Sequence, residues 1–291
     1  MKKRNVLNSP RLLELKKHRQ RVLQRKIALY LLVFLVFFIS TVYLYRLPVL
    51  NISEVEITGN KIIETEIIKE VVEQQITENY LYFFPKTNIF FYPKSVIKNE
   101  LQNKFKRLKD INFSVKDKKV LEISMTEREA LYTWCGDVLP EVNDSEQKCY
   151  FLDKEGYIFD EAPYFSGEVY FKFYGLSDVG RPTSEATGIY FSPNNFQKFI
   201  TFKQELEGMK LRPVALDVTP DGDIKVLLSK GSTTGINPEI IFKADADFQK
   251  VAENLKAVLT TEPLQSNLKN KYSSFLYIDL RFGNKVYFKF K

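Results

Sequence analysis

Two cysteines and one histidine are the residues best suited to chemistry, and their places already restrict it. His18 lies in a basic stretch ahead of a long apolar run, so a Ser-His or Cys-His nucleophile pair beyond that run has no base. Cys135 and Cys149 bracket the polar loop GDVLPEVNDSEQK. Two sulfurs without a nearby His or further Cys are an incomplete metal set. A disulfide closing the loop is the favoured reading, worth about 3 kcal/mol at most, with free thiols as the alternative. No Gly-rich phosphate loop stands between a strand and a helix, and no carboxylate run matches a calcium loop. Carboxylate pairs for glycoside hydrolysis stay open, because their separation is invisible in a sequence. The chain is expected to be no enzyme and to need no cofactor or metal.

The elements that position these residues begin with a membrane signal. Residues 1–26 carry ten Lys and Arg against Glu14 alone, a surplus of nine that leaves −2 for the rest of a chain of net charge +7. Such a body is a poor counterion for phosphate, so nucleic acid is not an expected partner. Ile27 to Tyr45, IALYLLVFLVFFISTVYLY, is uncharged. As a helix it spans roughly 28 Å, close to a bilayer core of about 30 Å. A cleaved signal peptide would have a shorter apolar region ending in small residues, which Thr41 to Tyr45 does not supply. The basic excess before the helix predicts a cytoplasmic tail, with residues 46–291 outside, where a disulfide persists. Tyr43 and Tyr45 read as interfacial anchors, and Ser9-Pro10 as the cap and first turn of a helix that continues into the membrane. The tail itself serves either as a topology signal near anionic lipid or as a cytoplasmic partner site.

After the linker at Leu47-Pro48, Ile52 to Thr58 alternates like a strand and stops at Gly59-Asn60. A helix with Ile63, Ile67, Val71 and Val72 on one side follows, then a second from Ser95 using Val96, Ile97, Leu101, Phe105 and Leu108. Strands at Ile111–Val115 and Val120–Thr126 complete a β-α-α-β-β module over residues 50–128. The aromatic run NYLYFFPKTNIFFYP, Asn79 to Pro93, either fills the core or forms a membrane- or partner-facing patch. Residues 129–291 read as a curved antiparallel β domain with two helices, Asn194–Met209 and a second within residues 244–261, and a hairpin signal at Asp221-Gly222. The fold class is α+β.

The closing stretch YIDLRFGNKVYFKFK, Tyr277 to Lys291, reads as a hairpin. A two-residue loop would mix apolar and charged groups on one face. A three-residue loop, Gly283 to Lys285, sets Phe282 opposite Val286, Leu280 opposite Phe288, Ile278 opposite Phe290 and Asp279 opposite Lys289. The last strand is then an edge or nearly one, a liability unless covered, charged or wanted.

In order and spacing the chain resembles the FtsQ/DivIB family of bacterial cell-division proteins. VEITGN, Val55 to Asn60, is similar to the first strand of that family's POTRA module, TNIFFYPKSVIKNEL to the lead into its second helix, and EREALYTW, Glu127 to Trp134, to its junction with the β domain. YFLDKEGYIFD and YIDLRFGN resemble the opening hairpin and closing strand of the β domain. Ala130 in place of a frequent proline, a longer stretch at Tyr80 to Pro85 and the Cys135–Cys149 loop depart from the pattern. The resemblance implies a scaffold of the division septum in the cytoplasmic membrane, single-pass, recruiting FtsB-like and FtsL-like proteins at the terminal strand by β-augmentation. In that arrangement Leu280, Phe282, Val286, Phe288 and Phe290 hold the hairpin on the core, while Asp279, Arg281, Tyr287 and Lys289 face the partner. Phe282 and Phe288 also count among the partner-binding residues. A POTRA-bearing chaperone or secretion component is the alternative.

Overall fold

A computed structural model describes residues 10–140, 147–175, 187–230, 237–283 and 285–291, with side chains from residue 14 onward. The chain falls into two compact units, Met1–Leu101 with Asp110–Thr126, and Gln102–Lys109 with Glu127–Lys291.

The first unit opens with helix α1, Pro10–Tyr45, long and apolar enough to cross a membrane and with its apolar span unburied. The expected Ser9 cap lies outside the described residues. The helix end is closed by two asparagines: Asn51 donates from Nδ2 to Tyr45 O (3.0 Å) and Leu47 O (2.7 Å), and Asn88 from Nδ2 to Tyr45 O (3.4 Å). Carbonyls left over at a helix terminus are thus satisfied by side chains. Then come β1 (Glu54–Thr58), α2 (Thr65–Ile76), the small hairpin β2 (Asn79–Tyr80) and β3 (Phe84–Pro85), α3 (Lys94–Lys104), β4 (Leu108–Lys116) and β5 (Val120–Glu127). The major elements keep the β-α-α-β-β order, and β1 runs parallel to β5, which lies between β1 and β4.

Two expected faces shift. Helix α2 buries Ile68, Val71, Val72 and Ile76, while Ile67 is 42% exposed, because a helix starting at Thr65 aligns 68, 72 and 76 in one stripe. Helix α3 ends at Lys104, so Leu108 is buried from β4 rather than from a helix, and Val96 is half exposed. Gly59, which ends β1, has φ +91°, and a Cβ there would stand 1.9 Å from the carbonyl oxygen of Met125. Only glycine fits that turn.

The second unit is one ten-stranded sheet with helices α4 (Phe196–Gly208), α5 (Phe248–Leu259) and α6 (Leu264–Lys271). Its strands are β6 (Tyr132–Trp134), β7 (Cys149–Leu152), β8 (Tyr157–Ala162), β9 (Phe171–Gly175), β10 (Ile189–Tyr190), β11 (Pro213–Val218), β12 (Asp223–Leu228), β13 (Glu239–Lys243), β14 (Phe275–Phe282) and β15 (Lys285–Phe290). The order is β10-β8-β7-β6-β9-β11-β12-β13-β14-β15. The expected purely antiparallel sheet with two helices is corrected on both counts. β6–β9, β9–β11 and β13–β14 pair in parallel, and α6 is a third helix. A parallel neighbour needs a crossover. The α5–α6 segment supplies it between β13 and β14.

One face of this sheet buries Trp134, Phe173, Phe196, Phe199, Phe202 and Phe242 with Leu255 and Ile278. Cys135 and Cys149 are joined by a disulfide. Gln102–Lys109 belongs to this unit through Arg107 Nε to Asp160 Oδ2 and Lys109 Nζ to Glu155 Oε1, both at 2.7 Å. Arg128 of the EREALYTW stretch pairs with buried Asp153 and lies 3.7 Å from the Tyr157 ring centroid.

Candidate functional site

β15 is one margin of the ten-stranded sheet: among the described residues β14 is its only strand neighbour. The other margin is β10, two residues long. Alternation sends Val286, Phe288 and Phe290 onto the core and leaves Lys285, Tyr287 and Lys289 exposed. Lys291 N donates to Ser274 O at 2.8 Å. By the alternation of an antiparallel ladder, the N–H and C=O of Tyr287 and Lys289 also point to β14, and those of Val286, Phe288 and Phe290 point away. Among the described residues no strand covers the outward row, which is open to a further strand.

The register differs from the sequence expectation. Phe282 pairs with Lys285, so the loop has two residues rather than three, with Gly283 at φ +64°. Asn284 lies outside the described residues. The apolar mismatch that a two-residue loop implied is removed by a shift between Asp279 and Phe282, where Leu280 and Arg281 stand opposite Val286 alone. Beyond it Ile278 pairs with Phe288 rather than Phe290, and Asp279 with Tyr287 rather than Lys289. Leu280 accordingly lies beside Val286 and not Phe288. At Ile278 and Asp279 the slip is by two residues, and a second shift between Phe275 and Tyr277 sets Phe290 opposite Phe275; the side chains of β15 keep their expected faces. In β14, Phe282 does not. It turns away from the core, 55% exposed, with its ring perpendicular to that of Tyr287 at 5.3 Å.

Asp279 does not lie on the surface. It is 6% exposed and accepts from Arg281 Nε (2.9 Å) and Nη2 (2.6 Å). Arg281 Nη1 reaches Asp223 Oδ2 at 2.7 Å, and Lys243 Nζ stands 2.6 Å from Asp223 Oδ1. This network spans β12, β13 and β14 and was not read from the sequence. An Asp-Leu-Arg spacing, which puts both charges on one strand face, was its available signal. The Lys243 ammonium beside it, against burial and with help from Arg281, holds the Asp223 carboxyl below its ordinary range. Burial pushes Asp279 up, but hydrogen bonds from the Arg281 side chain and backbone outweigh it, so Asp279 is also depressed. The Arg281 guanidinium is raised by the same two carboxylates.

The exposed groups at this margin are therefore Phe282, Tyr287, Lys285 and Lys289, with Arg281 in part and its guanidinium 5.7 Å from the Phe282 ring. Aromatic and Arg side chains beside an open backbone row are the composition of a protein-binding surface. Elsewhere in the unit, burial raises the Asp217 and Glu239 carboxyls, with Lys225 opposing. Burial, aided by Asp217, pushes the Tyr174 hydroxyl up to about 12. Among the described residues no group of three or more His, Cys, Asp or Glu is placed to hold a metal ion. No protein-family model matches the chain, and no curated protein matches it.

Proposed function

We propose that the chain is a non-enzymatic, single-pass scaffold of the FtsQ/DivIB kind. Its first unit is then a POTRA module, its second the β domain, and its basic tail cytoplasmic. It sits in the cytoplasmic membrane at the division septum and takes up a strand of an FtsB-like or FtsL-like partner along β15. The observation that supports this most is the six-residue open margin of the large sheet, with Arg281, Phe282, Tyr287 and Lys289 beside it. Backbone bonds to Val286, Phe288 and Phe290 supply affinity. The alternating Lys and Tyr side chains select a partner strand with acidic and aromatic residues.

The test is binding of residues 50–291 to the external segments of the FtsB- and FtsL-type proteins of the same organism, with Phe288→Pro as the variant. Proline removes an outward N–H and no bond to β14 but also the core-packed Phe288 ring, so circular dichroism and comparison with Phe288→Ala check that the hairpin stays folded. The expected result is at least a tenfold loss of affinity, about 1.4 kcal/mol. Undiminished binding by a folded variant moves the interface off β15.

A further inference from the structure

We propose that the aromatic hairpin of residues 79–86, together with Phe90 and Phe91, is seated in the outer leaflet of the bilayer crossed by α1. Its ligand is then lipid, and the first unit is fixed to the membrane surface rather than hung from a flexible stalk. The inference rests on reading α1 as a membrane-spanning helix and is independent of any partner at β15.

Three observations carry it. The apolar surface of α1 continues into the hairpin: Phe38 meets Phe83 at 5.8 Å and Phe84 at 6.3 Å, and Tyr45 meets Phe84 at 5.0 Å and Phe91 at 5.2 Å. Phe38 precedes Tyr45 by seven residues, about 10 Å along a helix, so the hairpin rings reach well below the helix end. The side chains beyond these contacts are open, with Leu81 79%, Tyr82 91% and Phe90 71% exposed, and Phe91 itself is 54% exposed.

The tip is also the wrong sequence for water. Leu81 and Tyr82 take φ +48° and +64°, with Phe83 N donating to Tyr80 O at 3.1 Å. That turn favours Asn-Gly, yet here it thrusts two bulky side chains outward. Finally, the backbone is prepared for a medium poor in hydrogen bonds. β2 pairs with β3, Lys86 N donates to Glu78 O, and Arg46 donates from Nε to Phe83 O (3.2 Å) and from Nη2 to Tyr82 O (3.3 Å). Lipid-exposed backbone must be satisfied internally. Lys86 Nζ is paired with Glu78 Oε2 at 2.6 Å at the open end of the hairpin, the end nearest the headgroup layer in this arrangement, while Asn51 and Asn88 tie the helix end to this segment.

The test uses the full chain in phospholipid nanodiscs. Its two cysteines are bonded to each other, so Tyr82→Cys adds the single reactive thiol for an environment-sensitive fluorophore. Phe90→Cys repeats the measurement without touching the strained turn. Phe34→Cys in α1 reports the membrane, and Ile62→Cys, past the far end of β1, reports water. The labels at 82 and 90 are expected to be quenched by nitroxides on the lipid acyl chains and to lose iodide quenching by about threefold relative to position 62. Iodide quenching equal to that at position 62, with the Phe34→Cys label lipid-quenched, overturns the proposal alone. Shielding from both quenchers means that protein covers the hairpin and overturns it too. A Phe34→Cys label without lipid quenching removes the membrane reading beneath it.

Discussion

Replacing Arg281 by Ala tests whether the charged network behind β15 supports the margin. The substitution leaves Asp279, whose side chain is 8% exposed, with no cation, while Asp223, at 11%, keeps Lys243. Breaking a buried ion pair costs about 3–5 kcal/mol. Because 31% of the Arg281 side chain is exposed, solvent screening reduces this to about 2–3 kcal/mol. For a unit of this size that lowers Tm by roughly 4–12 °C. Urea denaturation followed by the fluorescence of Trp134, the chain's single tryptophan and 2% exposed in the second unit, reads that unit directly.

The pH dependence gives a second readout of the same substitution. Both carboxyls have folded pKa values below their ordinary ones. Their stabilisation is therefore present above the unfolded value of about 3.9 and lost as pH falls through the lower folded values. Arg281→Ala flattens that acid limb, and Asp279→Asn added to it recovers part of the loss by removing the unpaired charge. A loss under about 1 kcal/mol, or an unchanged acid limb, refutes the reasoning.

Reduction of the Cys135–Cys149 bridge, which closes a short loop, is expected to cost about 2–3 kcal/mol, read as the shift in urea midpoint with and without reductant. Asp217→Asn is expected to raise stability at neutral pH. Burial raises that carboxyl, so the neutral form suits the fold, and the gain shrinks as pH falls through the raised folded pKa, as urea titrations at neutral and acidic pH will show. Gly59→Ala must displace the Met125 carbonyl and adopt an unfavourable φ, and is expected to cost the first unit about 2 kcal/mol or more by thermal melting.

Periodicity exposed most of the fold because it reports faces, and faces survive small errors. Val286, Phe288 and Phe290 alternate with Lys285, Tyr287 and Lys289 in any register that differs by two. What periodicity omits is the count of residues between pairs. The extra residue at Leu280–Arg281 was therefore invisible, and with it the turning out of Phe282 and the burial of Asp279. The parallel pairs were missed for a related reason. Short strands read alike in either direction, and α6, LQSNLKNK, has too few apolar residues to announce the crossover. The aromatic run was legible as a patch, but its place against Phe38 and Tyr45 depends on a long-range return of the chain.

A lysine-bearing edge strand is ambiguous by itself, since charge on an exposed margin is also how proteins prevent unwanted pairing. Here the two roles separate by side of the strand. Lys285 and Lys289 share the outer face with Tyr287, while the outward backbone row belongs to Val286, Phe288 and Phe290, whose side chains are held on the core. A second copy of β15 paired antiparallel about Tyr287 would set Lys285 against Lys289 on that face, an unfavourable cross-strand pairing. A strand carrying Asp or Glu at alternate positions meets the same backbone row with complementary charge. The sequence of β15 thus disfavours that self-pairing without closing the margin, and converting Lys285 and Lys289 to Glu should weaken binding of an acidic strand and favour a basic one, while like charges still oppose self-pairing and the hairpin stays folded.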